Sequence, residues 1–86
     1  MKIIRSQNKL ALINAAYIHH IYISDEVDES GRSTGNSEID IYFDATEDSR
    51  IQTIATYRTE DECIRNLSRL ATFLSSSTDS GLYEMP

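Results

Sequence analysis

The most regular pattern in the chain is Glu38-Ile39-Asp40-Ile41-Tyr42-Phe43-Asp44. Apolar side chains at 39, 41 and 43 alternate with Glu38, Asp40, Tyr42 and Asp44, and a period of two sends the two sets to opposite faces of a strand. A turn over Ala45 to Ser49 and a further strand at Arg50–Tyr57 follow. Upstream, Lys2 to Arg5 predicts a short strand and Ser6-Gln7-Asn8-Lys9 a turn. Leu10 to Ser24 is rich in apolar residues, and its second half, Tyr17-Ile18-His19-His20-Ile21-Tyr22-Ile23, is β-branched and aromatic, which favours strand. It reads as two strand pieces bent near Asn14-Ala15 or as one long bulged strand. Residues 25–37 form a polar loop in which Gly35-Asn36 supplies the positive φ values of a hairpin turn.

The period changes after Tyr57. Thr59 offers an N-cap, Glu62 completes a capping box, and Glu60, Asp61 and Glu62 suit the positive end of a helix dipole. Cys63, Ile64, Leu67, Leu70, Ala71 and Leu74 recur at three- and four-residue spacing, so one stripe of a helix over residues 59–75 faces a sheet. Residues 76–86 read as a mobile tail whose end, Leu82 to Pro86, can dock on a sheet edge. The expected fold is α+β: a four- to five-stranded antiparallel sheet over residues 1–57, packed by one C-terminal amphipathic helix.

Composition narrows the class. Eighty-six residues make a single domain, 40% apolar and 26% charged. The single cysteine, Cys63, excludes an internal disulfide framework and a multi-cysteine zinc site. Met1-Lys2-Ile3-Ile4-Arg5-Ser6 lacks the pattern of a signal peptide, and Asn14, His19 and His20 interrupt the longest apolar stretch, so a cytoplasmic protein with no membrane partner is expected. The formal net charge of −6 argues against direct nucleic-acid binding, which needs a basic face.

Few motifs carry chemistry. His19 and His20 are strand neighbours, which point to opposite faces unless a bulge intervenes, so one is expected to be at least half-buried and the other solvated. Glu26-x-Asp28-x-Ser30-Gly31 echoes the start of a calcium loop, but its twelfth position is Ser37 and no helix precedes it. Cys63 sits on the apolar stripe and reads as a core residue. No catalytic residue, cofactor or metal site is expected.

Charge distribution changes the picture most. Residues 24–48 carry nine acids and one base, a balance of −8, whereas the remainder, with seven bases and five acids, stands at +2. Asp25, Glu26, Asp28, Glu29, Glu38, Asp40, Asp44, Glu47 and Asp48 would line an acidic hairpin, with Tyr42 as an aromatic anchor on the same face. A separate set, Arg5, Arg58, Arg65 and Arg69, suits a phosphate ligand held between subunits. Uncovered sheet edges also leave room for a homodimer through Ile54, Tyr22 and Tyr42.

Short pieces spread along the chain resemble a family of small proteins encoded by phages and prophages of Gram-positive bacteria. They are Ile4-Arg5-Ser6-Gln7, Leu12-Ile13-Asn14, Ile21-Tyr22-Ile23, Tyr57-Arg58-Thr59-Glu60-Asp61-Glu62 and Tyr83-Glu84-Met85-Pro86. The long acidic loop at 25–37 departs from that pattern. The resemblance brings no catalytic residues; it implies a mobile-element origin, where small acidic proteins disarm host defences. The expectation is thus a non-enzymatic inhibitor whose acidic hairpin occupies a basic, nucleic-acid-binding surface of a host protein, in the manner of anti-CRISPR proteins. The alternative is an oligomeric sponge that holds a nucleotide signal through the arginines.

Overall fold

A computed structural model of the chain describes residues 1–43, 50–78 and 80–86. The fold is α+β, with six strands in two sheets and one helix among these residues. In chain order they are β1 (Lys2–Arg5), β2 (Leu12–Asn14), a 3-10 turn (Ala15–Tyr17), β3 (Ile18–Val27), β4 (Ser33–Phe43), β5 (Arg50–Tyr57), α1 (Glu60–Leu74) and β6 (Gly81–Glu84). One sheet runs β3-β4-β5, all antiparallel; the other runs β2-β1-β6 and contains a parallel pair, β1 with β6.

The expected single antiparallel sheet is therefore divided, and the division has local causes. Asn14 caps the 3-10 turn, its Oδ1 accepting from the Ala16 N–H at 3.0 Å, which breaks the apolar segment into β2 and β3. Lys9, with φ +66°, closes the turn that folds β2 back on β1. The tail supplies the sixth strand instead of remaining loose. Gly81 donates to the Met1 carbonyl, Met85 N–H donates to the Arg5 carbonyl at 3.0 Å, and the Met85 side chain is buried.

The hairpin between β3 and β4 turns at Asp28–Arg32, not at Gly35-Asn36. The Asp28 carboxylate accepts from Ser30 N–H (2.9 Å), Ser30 Oγ (2.6 Å) and Arg32 N–H (3.0 Å), while Gly31 takes the left-handed φ of +83°. These bonds satisfy the tight turn and hold the Asp28 carboxyl below its ordinary range, the Ser30 hydroxyl contributing most. Gly35 instead lies inside β4 with φ +90°, where the register against β3 shifts. The turn expected over Ala45 to Ser49 lies outside the described residues.

The helix begins as expected, with Thr59 Oγ1 accepting the Glu62 N–H at 3.1 Å. Its far end is capped from β1: Lys2 Nζ donates to the carbonyls of Leu74 (2.8 Å) and Ser76 (2.9 Å). Cys63 and Leu70 are fully buried, and Leu67, Phe73 and Leu74 pack around them. Ile64 and Ala71 are exposed, so the buried stripe is narrower than the spacing suggests and recruits Phe73. The core forms between the sheets and α1 from Ile4, Ile13, Ile39, Ile41, Ile54, Ala55, Tyr57, Cys63, Leu70 and Met85.

Candidate functional site

The outer face of β3-β4-β5, opposite the core, gathers Glu26, Glu38, Asp40 and Tyr42, four of the seven described residues predicted to line the acidic hairpin. Antiparallel register aligns cross-strand rows on it. His20 stands opposite Tyr42, which stands opposite Ile51; Tyr22 opposes Asp40, next to Thr53; Ser24 opposes Glu38, next to Thr56. One end of the face is thus aromatic and apolar, and the other is acidic.

The aromatic end forms a ladder. The rings of His20 and Tyr42 stack with centroids 5.0 Å apart and an interplanar angle of 22°. Tyr22 lies 5.2 Å from His20 with the rings tilted by 37°, and His19 meets Tyr42 edge-on at 5.6 Å. Ile51, 61% exposed, extends this patch onto β5. Both histidines are exposed, against the expectation that one is buried. The reason is the register shift between Ile18 and His20, which brings the two rings together with Nδ1 atoms 2.9 Å apart, one nitrogen donating and the other accepting. Among the described residues no group of three or more His, Cys, Asp or Glu side chains is placed to hold a metal ion.

The acidic end has a graded structure. Asp40 is only 5% exposed, and its two oxygens accept from Ser24 Oγ at 2.6 Å and Thr53 Oγ1 at 2.7 Å. Asp40 is thus held inside the sheet face by its own neighbours. Glu38 is less well served: Ser24 Oγ lies 3.3 Å from it and closer to Asp40. Burial, followed by the charges of Asp40 and Glu26, pushes the Glu38 carboxyl above its ordinary range. Partial desolvation, then the charges of Asp40 and Glu38, raises the Tyr22 phenol. Glu26 accepts from Thr34 Oγ1 at 2.8 Å and Asn36 Nδ2 at 3.2 Å. Among the described residues the one ion pair, Arg5 with Glu84 at 2.9 Å, lies on the other sheet, so no arginine or lysine neutralises this face.

The remaining predicted residues scatter. Asp25 is exposed but, by strand alternation, shares its side of β3 with Ile21 and Ile23. Asp28 is committed to the turn, and Glu29 is exposed at its tip. Asp44, Glu47 and Asp48 lie outside the described residues. Ile54, 1% exposed, is a core residue and cannot line a contact between copies. Of the arginines, Arg5 is paired with Glu84, Arg58 follows β5, and Arg65 and Arg69 are exposed on α1. A cavity of about 560 Å³ is lined by Met1, Lys2, Asn14, Ala15, Ala16 and Leu74, and one of about 210 Å³ by Gln7, Asn8, Thr53, Ile54, Ala55 and Thr56. Neither gathers these arginines. Cys63 is fully buried, and burial pushes its thiol up, the charges of Asp40, Glu38 and Glu60 adding to the effect, so it is a poor nucleophile.

His20, Tyr22 and Ile51 are the contributors that the charge pattern did not reveal. The alternation His20-Ile21-Tyr22-Ile23 places both rings on one face, but only the register shows that they meet Tyr42. No helix among the described residues is long and apolar enough to cross a membrane. No protein-family model, curated protein or solved structure matches the chain.

Proposed function

We propose that the chain is a non-enzymatic binding protein whose outer β3-β4-β5 face docks on a basic surface of another protein. The observation that supports this most is the acidic row Glu26, Glu38 and Asp40, which has no cationic partner among the described residues, beside the ladder of Tyr42, His20 and Tyr22. An arginine suits both halves of such a face. Its guanidinium plane stacks on a tyrosine ring, and its N–H fork donates to a carboxylate. A cation–π contact contributes about 0.5–2 kcal/mol, depending on how far the site is desolvated. The charge also steers approach, because a basic surface is drawn to a chain of this sign before contact.

In this reading Glu38 and the rings of Tyr22 and Tyr42 make the contact. Asp40 sets the local field from within the sheet. The resemblance to phage and prophage proteins makes the partner a host defence protein, with the acidic face taking the place of its nucleic acid. The test is titration of isotopically labelled chain with an oligo-arginine peptide, followed by amide and ring resonances. Shifts at His20, Tyr22, Glu38 and Tyr42 that weaken with added salt and with Glu38→Gln are expected. Shifts confined to Glu29 and the acidic start of α1 would refute the assignment.

A further inference from the structure

Each outer strand of the two sheets has an edge of backbone groups, and among the described residues the edges of β5, β2 and β6 are partly covered or short. At β5 the cover comes from Gln7. Its N–H donates to the Ile54 carbonyl at 2.8 Å, and its Oε1 accepts the Thr56 N–H at 2.9 Å. β2 has three residues and β6 four, lengths that offer little to a neighbour. β3 is different. It runs for ten residues, Ile18–Val27, at the end of its sheet, and it contains no lysine, arginine, proline or glycine. Its register against β4 is uninterrupted from His20 to Asp25, with shifts only beyond those residues. Among the described residues no other strand pairs with its outer edge.

The inner face of β3 is also incompletely covered. Ile21 and Ile23 belong to the periphery of the core and are only half-buried, because α1 packs over β4 and β5. Whatever extends the sheet past β3 must therefore bring apolar side chains to the inner face and hydrogen-bonding backbone to the edge.

We propose that the occupant is a second copy of this chain, paired β3 to β3 in antiparallel, two-fold fashion. Charge selects this arrangement over a parallel one. β3 carries its imidazoles, His19 and His20, at one end and its carboxylates, Asp25 and Glu26, at the other. Antiparallel pairing sets the acids of each copy against the imidazole end of the other, whereas parallel pairing sets acid against acid. The register that opposes Ile21 to the second copy's Ile23 covers both half-buried isoleucines and places Tyr22 opposite its symmetry mate. Residues directly opposite across an antiparallel pair share a face. The two three-stranded sheets then merge into one six-stranded sheet, β5-β4-β3-β3-β4-β5, with both acidic–aromatic faces on the same side. The dimer offers two such sites side by side to a partner.

The experiment uses the full chain alone, without any basic partner, so its failure leaves the binding reading above untouched. Sedimentation equilibrium should give a mass of twice 9.8 kDa, approaching one copy only on strong dilution. Amide exchange at Ile21, Tyr22 and Ile23 should slow as concentration rises. Tyr22→Lys, which sets two ammonium groups face to face at the symmetry axis, should leave a folded chain of 9.8 kDa. A wild-type chain that stays at one copy up to millimolar concentration would overturn the proposal. So would a dimer in which β3 amides are indifferent to concentration while those of β2 or β6 become protected.

Discussion

Asp40 is the point at which the structure and the charge pattern make different demands, and the difference can be measured. Its carboxylate is nearly sealed from solvent and held by two hydroxyls, Ser24 at 2.6 Å and Thr53 at 2.7 Å. Thr53→Val keeps shape and strand preference while removing one donor; Ser24→Ala removes the other. A hydrogen bond to a charged group contributes about 1.5–3 kcal/mol. Thr53 is exposed, so water can replace part of its bond, and a loss near the lower end, about 1–2 kcal/mol, is expected. Ser24 is more enclosed, and its loss should approach about 2–3 kcal/mol. With both removed the carboxylate is buried and unpaired, and the double variant should lose about 3–5 kcal/mol. That is a large share of the roughly 4–13 kcal/mol expected for a chain of this length. Urea unfolding at neutral pH, followed by circular dichroism, gives each difference directly. Single variants that both unfold within about 0.5 kcal/mol of the wild type, the range of ordinary surface substitutions, would show that Asp40 is solvated and free to meet a partner.

Two further outcomes follow from the titrating groups. Tyr57 is buried, donates its hydroxyl to a Pro86 backbone oxygen at 3.0 Å, and has its phenol pushed up to about 12, chiefly by burial. Its folded value lies above its unfolded one, so the associated stability is intact below the unfolded value near 10 and is lost as pH rises from there towards 12, at up to about 1.4 kcal/mol per pH unit. Urea midpoints in this alkaline range should fall more steeply for the wild type than for Tyr57→Phe, and parallel curves would contradict the assignment. Glu38 is raised by burial and by neighbouring acids, so its ionised form destabilises the fold at pH values above its unfolded range. Glu38→Gln should therefore raise the urea midpoint at neutral pH while weakening oligo-arginine binding; a lowered midpoint would mark Glu38 as structural.

How much of this was legible in the sequence depended on how local each cause is. The helix start needed only Thr59 and Glu62, and the break at Asn14 needed only its own side chain; both are within reach of a short window. The hairpin turn was harder because two glycines competed. The choice of Gly31 over Gly35 rests on Asp28 supplying acceptors to Ser30 and Arg32, a preference that composition alone does not rank. β6 was missed as a strand because Gly81–Glu84 is too short for a period and its partner, β1, lies at the other end of the chain. Alternation put Glu38, Asp40 and Tyr42 on one face but said nothing of depth. Asp40 is buried because Ser24 and Thr53 flank it in the register, and that register depends on a shift between Ile39 and Asp40.

The acids of the hairpin region fall into two physical kinds, and the distinction bears on function more than their number does. Asp28 and Asp40 are compensated: each has donors within hydrogen-bond distance, and each holds a turn or a sheet row together. Glu38 is undercompensated. It shares a hydroxyl that lies nearer to Asp40, and it sits in the field of two other carboxylates. A fold that needed only solubility could carry its negative charge on exposed residues such as Glu29, where water screens it at little cost. Placing a carboxylate instead where its neighbours oppose its ionisation stores a repulsion that an incoming cation relieves. The ladder of His20, Tyr22 and Tyr42 beside it offers a flat surface for a guanidinium but little for a sphere of hydrated ammonium. On the proposed reading, an oligo-arginine peptide should therefore shift the resonances of this face at lower concentration than an oligo-lysine peptide of equal length, and coincident titration curves would count against it.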